Sequence, residues 1–214
     1  MLYNLHTHKT SNDTNVFDIV NRYPYEEIDV PFFSTGIHPW HIEEDRLDEH
    51  LAIVEERLSL PGCLAIGECG LDKRIEKPLE IQAMVFEKHL ELANKYQKPV
   101  ILHLVSAYQE VIEIHKKIKP GVPMIVHGFS KNIQVAQQLL NSGFYLSFGK
   151  YLLRNPELSV VFANVPQDRL FMETDSIEES IAEVYAKAAM ARNIEIEELK
   201  DIVSTNFKTV FKNG

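Results

Sequence analysis

A parallel α/β barrel of the (β/α)8 type is the fold this sequence predicts, and three observations predict it. Short, almost wholly apolar runs alternate with helix-period segments. At least five of those runs close on a histidine or a carboxylate. The chain has 214 residues, 45% of them hydrophobic, enough to bury one core. No Pro/Gly/Ser-rich linker divides it and no internal repeat recurs, so residues 1–214 are expected to form a single domain.

The first run, LYNLH at 2–6, leads straight into His6-Thr7-His8. In a strand, residues i and i+2 share a side, so both imidazoles are placed to converge on one point. Convergent neutral imidazoles are a usual way to hold a transition metal. VFDIVN at 16–21 supplies the eighth strand that a closed barrel requires. The whole lies near the lower end of the roughly 200 to 400 residues usual for that fold. FFSTGI at 32–37 closes on His38, and LDEHLAIVEERL at 47–58 follows with helical spacing. CLAIG at 63–67 closes on Glu68, and the next loop carries Lys73, Arg74 and Lys77. The long helix 79–96 is expected to turn Met84, Phe86, Leu90 and Leu92 to the core. PVILH at 99–103 ends on His103, PMIVH at 123–127 on His127, and helices are expected at 106–118 and 131–141. FYLS at 144–147 and RLFME at 169–173 complete the strands, the last closing on Glu173 with Asp175 two further on. Helices at 178–191 and 195–211 finish the chain. Runs this short and apolar are those of strands covered on both faces.

In a parallel barrel these strand ends open on one face, where barrel enzymes keep their active sites. Nitrogen and oxygen donors without thiolate suit Zn²⁺, Mn²⁺, Mg²⁺ or Fe²⁺. Four imidazoles and two carboxylates exceed the needs of one tetrahedral ion. They fit two ions sharing a carboxylate, at about 3.5–4 Å in two-metal hydrolases. The nucleotide cradles GxGxxG and GxxxxGK[ST] are absent.

The net charge of −9 argues against a broad nucleic-acid-binding surface, so a phosphate substrate has to be met locally, by bound cations or a small basic cluster. Neither a signal peptide nor a membrane-spanning run is read in the chain. Cys63 and Cys69, too few for a disulfide framework, read as reduced, half-buried thiols of a cytoplasmic protein.

The motifs H-x-H, GIHPW, AIGECGLD, PVILH, VHGFS and METDS stand in an order that resembles the TatD-like metal-dependent hydrolases, from Leu2 to the final NFKTVF. The resemblance implies a TIM barrel with a binuclear divalent site (Mg²⁺, Mn²⁺ or Zn²⁺) and, for several members, deoxyribonuclease activity. It assigns His6, His8 and Asp175 to a first ion and His103 and His127 to a second. Glu68 bridges them, and Asp175 also takes a proton from the nucleophilic water. It implies DNA or a small phosphodiester as substrate, and no protein partner.

Departures from the family pattern fall around the metal set. Thr10 stands where an acidic residue is usual, and HLVSA replaces H-x-R-D-A, so Val105 and Ser106 stand for Arg and Asp. That removes a guanidinium suited to phosphate. The Pro-rich loop after METDS and its Arg are missing, and Lys73 replaces an aromatic after GLD. Lys73, with Arg74 and Lys77, is the best replacement for the lost Arg, and His38 is a second candidate for substrate contact. His38 reads equally as a turn histidine fixed by Pro39, and His41 as a surface residue. His50, His89 and His115 read as structural or exposed, and Cys69 as a packed thiol facing away from Glu68. Two other functions fit the same residues: a binuclear amidohydrolase or esterase on a small molecule, and a metal-holding protein that has lost catalysis.

Overall fold

A computed structural model describes residues 1–211. Eight strands follow in order: β1 (Leu2–Thr7), β2 (Val16–Asn21), β3 (Phe33–Thr35), β4 (Cys63–Asp72), β5 (Val100–Val105), β6 (Met124–Val126), β7 (Tyr145–Phe148) and β8 (Leu170–Met172). The helices are α1 (Leu47–Leu58), α2 (Leu79–Tyr96), α3 (Tyr108–Ile118), α4 (Ile133–Asn141), α5 (Lys150–Arg154), α6 (Pro156–Ala163), α7 (Ile181–Arg192) and α8 (Ile196–Val210). The strands are neighbours in chain order within one sheet, and the registered pairs β1–β2, β3–β4, β4–β5 and β7–β8 are parallel. This is the predicted strand–helix alternation. Two compact units make up the described residues: 1–20 with 126–211, and Asn21–Ile125.

In the first unit, Leu5, Ile19, Leu146, Phe148 and Phe171 are fully or almost fully buried. Tyr185 of α7 reaches β1, donating its hydroxyl proton to the Tyr3 carbonyl at 3.0 Å and accepting the Tyr3 N–H at 3.1 Å. The helix thus satisfies backbone groups that would otherwise be buried without partners. Asn4 works similarly. Its amide donates to Asp18 Oδ1 (2.8 Å) and Thr174 Oγ1 (3.0 Å), and its carbonyl accepts from the Thr174 N–H (2.9 Å). This network holds residue 174 against β1.

In the second unit, β4 runs on past Gly67, where the sequence predicts its end, and through Gly70. A Cβ on Gly67 would lie 2.3 Å from the Ile101 carbonyl oxygen, and one on Gly70 would lie 2.1 Å from that of His103. Both have positive φ, +134° and +143°. Only glycine permits this approach of β4 to β5, which brings Glu68 beside His103. The buried positions of α2 are Gln82, Val85, Phe86, His89, Leu90 and Ala93. Met84, expected in the core, is 46% exposed because it falls between those i, i+3, i+4 positions. Cys63 and Cys69 are fully buried rather than half-buried, and burial pushes the Cys63 thiol up to about 12.

Candidate metal centre

Each unit gathers part of the predicted ligand set. In the first, β1 delivers His6 from its interior and His8 one residue past its end. Asp175 takes a left-handed conformation, φ 55°, which Asp tolerates better than most residues. Its N–H donates to the His6 carbonyl (2.9 Å), and its carbonyl accepts the His8 N–H (3.1 Å). The backbone therefore clamps all three residues together. Asp175 Oδ1 lies 4.0 Å from His6 Nε2 and 3.6 Å from His8 Nε2. Lys150, the first residue of α5, donates to Asp175 Oδ2 at 2.7 Å. Burial opposes ionisation of Asp175, but His127, His6 and Lys150 outweigh it and hold the carboxyl below its usual range.

His127 follows β6, its ring centroid 4.4 Å from that of His6. Its Nδ1 lies 3.4 Å from Oε1 of the buried Glu173. That oxygen also accepts the Gly128 N–H at 2.7 Å. A carboxylate behind Nδ1 turns the other nitrogen, Nε2, away from it, the usual arrangement behind a metal-binding imidazole.

The second unit assembles around Glu68. Its Oε1 lies 2.9 Å from His103 Nδ1 and 3.2 Å from His38 Nε2. Its backbone N–H donates to Asn21 Oδ1 at 2.7 Å, and the Tyr23 hydroxyl meets Oε2 at 3.3 Å. Burial, reinforced by the Glu68 charge, pushes the Tyr23 hydroxyl up, so it stays a donor. His103 also faces Asp72, with Nε2 3.4 Å from Oδ2. Asp72 is fixed in turn by the Trp40 indole N–H (2.8 Å) and the Arg74 N–H (2.8 Å). Burial works against its charge, yet these donors and His103 hold its carboxyl below the usual range. The Asp72 backbone is pinned by Gln82, which accepts its N–H at 2.8 Å and donates to its carbonyl at 3.0 Å.

Proton counting separates the two histidines beside Glu68. His38 Nδ1 accepts the Trp40 N–H at 3.1 Å, so the neutral ring carries its proton on Nε2 and donates it to Glu68. His38 is thus a hydrogen-bond donor in the site rather than a free ligand, although its position in the cluster suits either role. His103 has a carboxylate at each nitrogen, and a neutral imidazole has one proton to offer. The other contact requires a second proton or a metal ion. With Nε2–H turned to Asp72, Nδ1 presents its lone pair on the Glu68 side, where a divalent ion would take it together with the carboxylate. The donors fit a hard or borderline divalent ion: carboxylate and imidazole atoms 3–4 Å apart, close to the roughly 3–3.5 Å separating ligands of one ion at about 2.1 Å.

The family profile described as "TatD related DNase" matches residues 5–212. The chain belongs to this family. It is 30% identical over 204 residues to YabD of Bacillus subtilis, named an uncharacterized metal-dependent hydrolase, covering 87% of this chain and 80% of the relative. It is 32% identical over 149 residues to the 3'-5' ssDNA/RNA exonuclease TatD of Erwinia billingiae, covering 67% of this chain and 56% of that protein. The crystal structure of YjjV, a TatD homologue from Escherichia coli, superposes with a TM-score of 0.83 at 22% identity, over 99% of this chain and 98% of that one. That likeness shows the fold, the compact (β/α)8 barrel the sequence predicts.

Of the residues predicted from sequence, His6, His8, His127 and Asp175 gather in the first unit, and His38, Glu68 and His103 in the second. Lys73, proposed for phosphate, is engaged by Glu110 at 2.5 Å. Sequence reading gave no role to Asp72, Trp40, Tyr23 or Lys150. Asp72 and Trp40 stand inside the quoted motifs GECGLD and GIHPW, where the signal lay; Lys150, in FGKYLL, has none.

Proposed function

We propose that this protein is a divalent-metal-dependent phosphodiesterase that cuts nucleic acid, with His6, His8 and Asp175 holding one ion, His103 and His127 a second, and Glu68 shared. The observation that carries it is His103 held between two carboxylates, with Asp72 behind it and Glu68 in front. The ligand assignment follows the motif order, and the activity named for the Erwinia relative supports the substrate. Two divalent ions, when bound, lower the pKa of a water and offset charge on a phosphoryl oxygen. Asp175, ionised and already tied to Lys150, accepts the proton of the attacking water. His38 Nε2–H and Tyr23 O–H hold the Glu68 carboxylate in place.

Lys150 takes the part of the missing guanidinium. Although burial lowers its pKa, Asp175 raises it further, so the ammonium stays charged where phosphate charge develops. Lys73 is a secondary phosphate contact, available when its Glu110 pair opens. A single domain over 1–214, the absence of a protein partner and a cytoplasmic location belong to the same reading. No helix among the described residues is long and apolar enough to cross a membrane. Single-stranded DNA, bis(4-nitrophenyl) phosphate and a simple acyl ester, each with Mg²⁺, Mn²⁺ and Zn²⁺, test it. Phosphodiester cleavage that is lost in Glu68→Gln is expected. Cleavage of the acyl ester alone would make the chain an esterase or amidohydrolase, and metal uptake without turnover would make it a metal-holding protein.

A further inference from the structure

Beside the Glu68 cluster lies a group of aromatic rings that the core does not use. Trp40, the sole tryptophan of the chain, is 61% exposed, and Tyr25 is 49% exposed. Two large aromatics left this open beside a cluster of buried titratable groups are not explained by packing. Neither ring is loose. The Trp40 indole N–H is bonded to Asp72 at 2.8 Å, and its centroid lies 5.1 Å from that of His38 and 5.9 Å from that of His103. Tyr25 lies 5.9 Å from His41 and 5.6 Å from Tyr23, whose hydroxyl reaches Glu68. Arg57 pins this loop from below by donating to the carbonyls of Tyr23 (2.8 Å), Pro24 (3.2 Å) and Glu26 (2.5 Å). Fixed rings with exposed surface next to a hydrolytic cluster are what a planar ligand group requires for stacking at low entropic cost.

Charge narrows the ligand. Two of the three cations of the neighbouring loop are paired, Lys73 with Glu110 and Lys77 with Glu44, which leaves Arg74, and the chain as a whole is acidic. A phosphodiester backbone alone would find weak purchase here, whereas a nucleobase carries no charge and offers a face to an aromatic side chain. From this we infer that Trp40 and Tyr25, backed by His41, form a stacking subsite for nucleobases of a single strand. This takes over part of the affinity that the absent Arg would have supplied. The inference rests on the phosphodiesterase reading and adds to it the group beside the scissile phosphate that is recognised.

Trp40 reports its own occupancy. The metal-free protein is titrated with fluorescein-labelled oligothymidine and with an abasic oligonucleotide of the same length, reading Trp40 emission on unlabelled strands and anisotropy on labelled ones. The expected result is quenching of Trp40 by oligothymidine and affinity about tenfold or more above that for the abasic strand. Trp40→Leu and Tyr25→Leu each lose about tenfold for oligothymidine and little for the abasic strand, while Trp40→Phe recovers most of the affinity. Equal affinity for the two strands, no binding of either, or an unchanged Trp40→Leu would overturn the subsite. Turnover of bis(4-nitrophenyl) phosphate by the unaltered protein is measured alongside. Turnover without base discrimination removes the stacking subsite alone; base discrimination without turnover removes the hydrolase reading.

Discussion

His89 is completely buried in α2, and its two nitrogens hold one arrangement: Nδ1–H donates to the Val85 carbonyl at 2.7 Å, and Nε2 accepts the Ile37 N–H at 2.9 Å. Ile37 immediately precedes His38, so this imidazole anchors the segment that presents His38 to Glu68. Burial lowers its pKa from 6.5 to about 4. The sign follows from which state binds the proton. As pH falls through 6.5 the unfolded chain protonates this histidine, and the folded chain does not until about pH 4. Stability from this group is therefore complete above about pH 6.5, declines between 6.5 and 4, and is level below. At about 1.4 kcal/mol per pH unit, that window is worth about 3 kcal/mol. In His89→Gln the amide still presents an acceptor and a donor but does not titrate. Urea unfolding followed by circular dichroism at pH 7, 6, 5 and 4 gives the stability difference between the protein and the variant. That difference should shrink by about 3 kcal/mol across the series, the variant being the less acid-sensitive of the two. A difference constant within about 0.5 kcal/mol over the whole range would refute the neutral, anchoring role of His89.

Asp72→Asn should weaken divalent-metal binding by about 10- to 100-fold with the circular dichroism spectrum unchanged, because the group orienting His103 loses its charge; calorimetric titration with Mn²⁺ measures it. Glu173→Gln should do the same to His127, and because both histidines are assigned to the second ion the two effects together should depart from additivity in free energy. Lys150→Met should lower kcat/KM on phosphodiesters by about tenfold or more, chiefly in kcat, since the cation acts where charge develops. Gly70→Ala should cost about 3 kcal/mol or more in chemical denaturation, since its Cβ would lie 2.1 Å from the His103 carbonyl in a positive-φ conformation.

The alternation of apolar runs and helical periods made the barrel legible, because each strand signals itself locally. The strand-end ligands were legible for the same reason: His103 and His127 close their runs directly. What local pattern does not carry is the pairing of side chains far apart in sequence. Asp72 and Trp40 stand 32 residues apart, Lys150 and Asp175 25 apart, and nothing in either segment announces its partner. Helix α6 escaped for a different reason. Its sequence, PELSVVFA, is largely apolar and has no polar stripe to set the period, so only its start is marked, by the Asn155 cap, Pro156 and Glu157. In β4, Gly67 reads as the end of a strand, whereas it and Gly70 mark the close approach to β5 that the site depends on. Met84 shows the converse error, an apolar residue assigned inward by type though its helical phase turns it to solvent.

The central claim is two ions held by two histidine–carboxylate sets, and counting metal tests it most directly. Protein loaded with Mn²⁺ or Zn²⁺ and dialysed against metal-free buffer is analysed by inductively coupled plasma mass spectrometry, beside His8→Ala and His103→Ala. The account predicts about two equivalents in the unaltered protein and about one in each variant. One equivalent or none in the unaltered protein, or variants that retain its full content, would contradict it.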